Sequence, residues 1–466
     1  MLDILRNILN RGSEEDREMV VSETDEEGFE TVSAGAYPRD VMDSTTDSIS
    51  IGYTETDGIT PFDVSHSDLY QNMALFGQTG YGKSTVLRNT MYQVMRQDNG
   101  FCFIDRKGQD VTDLLQVVPE NRLEDIVWVE PGEGDSGIKN NFFETYYDPE
   151  DEEYEAEVEH LVSNFVSLVA DGHGKRVESV TESIARKLIK ADESYTPVEF
   201  YKIISIQEER EKFAEMFDDF EKPVLEHMDS MKQVQHTKFQ GDLKTFMEEE
   251  EILSLFANRD SSVNISEAVM DGKIVLVKLS HIEDSTIQKL VSAVITRQIW
   301  SAIQVRMELE SDVYDPYFLC IDEFAKVESS AMGIEDILPE SRSLQLSVIL
   351  ASQQITQLRS ESQASIKSNC KNIFSFRVGR NVEDADELSS IFYDIEGDDL
   401  LNLPAYVVFG NKFMDDGTVN SVRIQTFAPY PAVREYDSVD EVIRNSVDRY
   451  SGPISIDDID WSEYQL

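Results

Sequence analysis

Residues 77–85 read Gly77-Gln78-Thr79-Gly80-Tyr81-Gly82-Lys83-Ser84-Thr85, the G-x-x-x-x-G-K-[ST] spacing of a phosphate-binding loop. The chemistry requires these residue types. Glycines let successive backbone N–H groups curl around a β-phosphate, and the following helix adds the positive end of its dipole. Lys83 brings a point charge to the β- and γ-phosphates, and the Ser84 hydroxyl offers a position to Mg²⁺. A glycine turn with an incidental lysine would explain the loop but not its flanks. Met73–Phe76 is a short apolar run fit for a buried strand. Thr85–Gln97 contains neither Pro nor Gly and spaces Val86, Tyr92, Val94 and Met95 as a helix does. The expected ligands are a nucleoside triphosphate, ATP, and Mg²⁺.

The other half of such a site is a strand that delivers carboxylates. Tyr317–Ile321 is apolar and ends in Asp322-Glu323. Asp322 is expected to hold Mg²⁺ through water, and Glu323 to polarise the attacking water, which favours hydrolysis over nucleotide sensing. An Asp-Glu pair alone says little, because strands often end in acids; downstream of a complete phosphate loop it says much more. Further on, Ser347–Leu350 reads as a strand that ends near Ser352-Gln353, placing an amide where it could sense a γ-phosphate. Arg342, ahead of that strand, has two open readings: an arginine finger or an ordinary surface ion pair.

The elements that must position these residues alternate. Strands are expected at 101–105, 125–129, 272–279, 317–321, 347–350, 373–378, 405–409 and 419–426, with a hairpin over 49–64 and a long helix over 286–308. The fold class is therefore α/β, a P-loop NTPase (RecA-like) with a mostly parallel sheet flanked by helices. Between 148 and 262 strand signals nearly vanish. Val158, Leu161, Val162, Phe165, Leu168 and Val169 repeat at helical spacing, and Thr196-Pro197-Val198-Glu199 carries a capping box with Pro at the first helical position. That stretch reads as an all-helical insertion domain. The division is an acidic N-terminal arm (1–48), a split core (49–147 and 263–430), the insertion (148–262) and an acidic C-terminal tail (431–466).

The 466 residues carry 91 acidic against 41 basic side chains, a net charge of −50 spread along the chain. Such self-repulsion is best tolerated where salt is molar and the Debye length falls to about 3 Å, which points to a halophilic, salt-in cytoplasm. Cys102, Cys320 and Cys370 show no zinc or redox spacing, and the first two lie in strand-like runs as small hydrophobes. His281 reads as a solvated loop residue. No run of 18 apolar residues and no secretory signal occur. Met1–Leu9 forms a short amphipathic pattern suited to a membrane surface or a partner. The expected location is cytoplasmic, with peripheral membrane or virion association left open.

Taken together, the motifs resemble the HerA/FtsK superfamily, and within it the coupling-protein (TraG/TraD-like) branch of type IV secretion and conjugation ATPases. The resemblance spans roughly residues 49 to 430. It rests on Thr79–Thr85, on Phe103-Ile104-Asp105-Arg106-Lys107-Gly108 (similar to the family's Asp-Pro-Lys-Gly signature, with Arg106 in place of proline), and on Ile321–Phe324. Leu350-Ala351-Ser352-Gln353 matches the family's Ala-Thr-Gln motif; Ser368–Asn372 and Phe376–Gly379 match its late strand. The resemblance implies hexameric rings around DNA, Gln353 in the glutamine position, and Arg342 acting across a subunit interface, with Arg377 as the alternative trans-acting arginine. It also implies secretion or virion partners reached through the N-terminal segment or the helical insertion. Charge and motif together look haloarchaeal, of a chromosome, plasmid or virus. A virus ATPase for genome packaging or virion assembly, and a nucleotide-gated scaffold with slow hydrolysis, are the other two readings. Lys367, Lys371, Arg377 and Arg380, and Lys187 with Lys190, are the basic clusters that could line a DNA path or simply be solvated.

Overall fold

The computed structural model describes residues 48–54, 60–131, 138–217, 222–225, 233–256, 258–259, 261–307, 315–413 and 419–450, with 22–24, 30–32 and 42. The amphipathic start, most of the acidic arm and residues 451–466 lie outside the described residues. In chain order the elements used below are β1 (Ser48–Thr54), β2 (Thr60–Ser65), β3 (Met73–Phe76), α1 (Lys83–Arg96), β4 (Gly100–Asp105), α2 (Gln109–Leu115) and β5 (Ile126–Val129). They continue with α3 (Tyr154–Val169), α4 (Lys175–Ile189), α5 (Pro197–Ser205), β6 (Ile274–Lys278) and α6 (Ser285–Gln304). The last are β7 (Tyr317–Ile321), β8 (Leu346–Ser352), β9 (Asn372–Ser375), β10 (Val407–Phe413), β11 (Val419–Thr426) and α7 (Tyr436–Tyr450). The chain forms two compact units. The first gathers Met1–Asp125, Asp315–Ala325 and Glu335–Asp440; the second gathers Ile126–Tyr314, Lys326–Ile334 and Glu441–Leu466.

In the first unit the strands run β2-β1-β11-β10-β9-β3-β8-β7-β4. From β9 to β4 neighbours are parallel, whereas β10, β11, β1 and β2 pair antiparallel. Strands β3, β4, β7 and β8 are buried along their whole length. Parallel strands covered on both faces read as nearly continuous apolar runs, and these do, apart from Asp105 at the end of β4 and Ser347 and Ser352 in β8. The flanking strand β11 instead alternates: Val422, Ile424 and Thr426 are buried while Arg423 is exposed, the pattern of a strand with one covered face. The registers align the parallel strand ends. Ser352 lies beside Phe76, Leu350 beside Ile321, and Ile104 beside Ile321. Everything that follows those residues therefore emerges at one edge of the sheet.

The second unit is largely helical. α3 buries the stripe read from its sequence, Val158, Leu161, Val162, Phe165, Leu168 and Val169. Phe165 meets Phe142, Phe200 and Phe256 at ring distances of 5.8, 5.0 and 5.9 Å. The capping box at Thr196 and Glu199 is formed, with Pro197 opening α5. β5 and β6 are a parallel pair. Within the stretch read as an acidic tail, α7 is a helix whose Ser446 hydroxyl accepts from the Trp128 N–H and donates to the Ile126 carbonyl. His281 departs from the solvated loop residue expected. It is part-buried, with one ring nitrogen against the Pro131 carbonyl and the other 3.6 Å from Glu130, which also pairs with Lys278 at 2.6 Å. All three cysteines are free and buried.

Candidate nucleotide site

The loop that leaves β3 is fixed by backbone bonds on both sides. The Gly77 N–H donates to the Ser352 carbonyl at 3.2 Å, the Gln78 N–H to the Arg377 carbonyl at 2.8 Å, and the Tyr406 N–H to the Tyr81 carbonyl at 2.9 Å. Gly77 and Gly82 have φ of 143° and 116°, conformations that side chains rarely adopt. At Gly77 a Cβ would lie 2.6 Å from the Phe376 Cβ, so glycine is required there twice over. Gly82 is the N-cap of α1. The Lys83 ammonium folds back on the loop and donates to the Gly77 and Gln78 carbonyls at 2.5 and 3.4 Å. Burial lowers the Lys83 pKa, and nearby Asp322 and Glu323 oppose the shift only in part.

Three buried carboxylates gather beside the loop. Asp105 ends β4, Asp110 lies in the first turn of α2, and Asp322 follows β7; each offers an oxygen within 4.8 Å of the others. Asp105 is engaged by the backbone, accepting the N–H groups of Lys107, Asp110 and Val111 at 2.8, 2.7 and 3.2 Å. Asp110 is raised by burial and by Asp105, against the Ser84 hydroxyl bond and Arg88. Asp322 is pushed up to about 7, by burial first and then by Asp110 and Asp105. A site that collects this much negative charge away from water suits a hard divalent cation bound through oxygen.

Glu323 is held differently. Its backbone is left-handed, φ 52°, which is costly for a non-glycine residue and recurs at functional sites. Lys107 Nζ lies 2.5 Å from its Oε1, and Gln353 Nε2 donates to Oε1 and Oε2 at 3.1 and 2.9 Å. Burial alone would raise the Glu323 pKa, but the Lys107 and Gln353 bonds outweigh it and the carboxyl sits below its ordinary range. A cavity of about 140 Å³ is lined by Thr79, Lys83, Ser84, Lys107, Glu323 and Tyr406, among others. That is smaller than the roughly 300–1,000 Å³ of a whole-ligand pocket, and matches a phosphate tail.

The structure thus brings Gly77–Thr85, Asp322, Glu323 and Gln353 together at one sheet edge. Arg342 is elsewhere: it is exposed, in the short turn before β8, and the seven residues of β8 span about 23 Å at ~3.3 Å each. It does not reach the phosphate loop of its own chain. Arg377 does come close, donating to the Tyr81 hydroxyl at 3.0 Å with its guanidinium 5.5 Å from that ring. Among the basic clusters, Lys367 pairs with Glu387, Lys371 with Asp68 and Lys190 with Glu155. Sequence reasoning gave no role to Lys107, Asp110 or Tyr406. The available signal was the run Asp105–Gly108 at a strand end, whose place beside β7 only the strand order reveals.

Fold and site together define an ATPase of the P-loop class. The profile of the type IV secretion-system coupling protein DNA-binding domain matches residues 57–398. The chain therefore belongs to that family of coupling proteins. Among solved structures it is similar to the plasmid coupling protein TrwB in complex with ADP and Mg²⁺ (TM-score 0.54, 14% identity, covering 79% of this chain and 88% of that one). It is also similar to TrwB with the non-hydrolysable analogue ADPNP (TM-score 0.53, 15% identity, 87% and 96% covered). A third likeness is VirB4 of Thermoanaerobacter pseudethanolicus (TM-score 0.54, 15% identity, 82% and 96% covered). At these identities the structural likeness speaks for the fold. No curated protein matches the chain. No helix among the described residues is long and apolar enough to cross a membrane.

Proposed function

We propose that the protein is an ATP-hydrolysing ring motor that moves DNA, in the manner of type IV coupling ATPases. The observation that carries the reading is Glu323, pinned by Gln353 and Lys107 over the same small cavity that Lys83 and Ser84 line. In this role the loop N–H groups and Lys83 bind the phosphates. Ser84 and Asp322 would hold Mg²⁺, with Asp110 fixing the Ser84 hydroxyl. The chemistry such an ion would supply there is neutralisation of phosphate charge. Glu323 orients the attacking water and takes its proton, and Gln353 keeps the carboxylate aimed. The cluster Asp105, Asp110 and Asp322 fits such an ion by its donor chemistry, all hard oxygens.

DNA as substrate is supported by family membership, and the motor works in this proposal as a hexameric ring. Arg342 acts from a neighbouring subunit in this reading, because in its own chain it lies at the wrong end of β8. Molar salt is the proposed working medium, given the net charge of −50. Equilibrium nucleotide binding tests the site: Lys83→Ala should lose ATP affinity in the presence of Mg²⁺ with an unchanged far-UV circular dichroism spectrum. Undiminished affinity in a folded Lys83→Ala protein would contradict the assignment.

A further inference from the structure

The Lys107–Glu323 ion pair joins residues 216 apart in sequence, and its two members are not equally fixed. Glu323 is 6% exposed and gripped by Gln353 on both oxygens, whereas the Lys107 side chain is 47% exposed. Besides that ion pair, Lys107 is held at its backbone, where its N–H donates to Asp105 Oδ1 at 2.8 Å. A lysine head on a flexible four-carbon stem is the member free to swing. It lines the same cavity as Lys83 and Ser84, so the alternative partner within its reach is the terminal phosphate of a bound nucleotide. Oε1 of Glu323 now takes both Lys107 and Gln353. Departure of the ammonium frees an acceptor position on that oxygen for a water molecule.

Resting on the ATPase reading above, we propose that Lys107 is a positioning residue that exchanges Glu323 for the γ-phosphate and so couples presence of a triphosphate to readiness of the base. The pairing with Glu323 competes with the pairing to phosphate, and that competition is what an experiment can read. A diphosphate offers no γ-oxygen and leaves Lys107 on Glu323.

The test is equilibrium binding of Mg-ADP and of a Mg-bound non-hydrolysable ATP analogue. The proteins are the wild type, Lys107→Ala, Lys107→Arg, Glu323→Gln and the double variant, each checked for folding by circular dichroism. Lys107→Ala should keep ADP affinity within about twofold and lose roughly tenfold or more for the analogue, the size of one charge-assisted hydrogen bond. Lys107→Arg should recover most of that loss. Glu323→Gln removes the competitor and should tighten the analogue, and this gain should vanish in the double variant, since the two sites are coupled. Equal losses for both nucleotides, or no loss at all, would overturn the proposal, as would a Glu323→Gln gain that survives without Lys107. A wild type that binds neither nucleotide would instead remove the ATPase reading and the proposal with it.

Discussion

Glu323 occupies a left-handed backbone conformation directly after a buried strand, a position that only a surrounding hydrogen-bond frame can hold. Lys107 and Gln353 supply that frame. If the carboxylate serves as the base, Glu323→Gln should bind ATP at least as tightly as wild type while turnover falls by about 10²–10⁴, accumulating the ATP-bound protein in a filter-binding or fluorescence assay. Near-normal turnover would reduce Glu323 to a strand-end acid. Gly77 makes an equally local prediction. A methyl group there would meet the Phe376 Cβ at 2.6 Å on a backbone of φ 143°, so Gly77→Ala should lower the melting temperature, by an amount corresponding to roughly 1–3 kcal/mol of strain, and weaken nucleotide binding. A variant that melts and binds as the wild type does would show that the loop can shift without cost.

The elements that carry the site were largely legible from sequence, and the reason is burial. β3, β4, β7 and β8 are buried along their whole length and mostly apolar, as parallel strands of a covered sheet must be, so their ends, and hence the loop, Asp322-Glu323 and Gln353, could be placed in advance. Strand order was not legible. Nothing local says that β4 neighbours β7, and so Lys107 was quoted as part of a motif without a task. The hairpin of β1 and β2 was expected and is formed, but its antiparallel pairing to β11, and that of β11 with β10 and of β10 with β9, was likewise hidden. In the helical unit a buried acid was missed for a similar reason: Glu157 follows the charged start of α3 yet is 1% exposed and accepts the Tyr146 and Tyr147 N–H groups. Burial pushes its pKa up to about 7. Between about pH 4.5 and 7 the folded state therefore holds a proton that the unfolded chain has released, and this contribution to stability is lost as pH rises through that window. Glu157→Gln, which keeps an acceptor for those N–H groups, should gain stability relative to wild type between pH 5 and pH 8, with the difference of order 1–3 kcal/mol. Urea melts of both proteins at the two pH values measure it. A stability gap independent of pH would mean that Glu157 ionises freely in the folded protein.

At the scale of the molecule the account depends on assembly. Arg342, exposed at the far end of β8, serves catalysis only if a neighbouring subunit presents its phosphates there. An arginine finger is worth about 10³–10⁵ in turnover, so Arg342→Ala should lose activity while each subunit still binds ATP. Mixing it with Lys83→Ala should restore some hydrolysis in exchanging rings, because the Lys83→Ala subunit lends its Arg342 to the intact loop of the next; mixed rings that recover nothing would contradict a simple finger in trans. With a net charge of −50, subunits are expected to approach only where salt screens them, so such work belongs in molar KCl. The most direct measurement is steady-state ATP hydrolysis in molar KCl with Mg²⁺, with and without double-stranded DNA, for wild type beside Glu323→Gln. The account predicts Mg²⁺-dependent turnover that rises when DNA is added and falls to background in the Glu323→Gln protein. Turnover no greater than that of Glu323→Gln, or a wild-type rate indifferent to DNA, would contradict it.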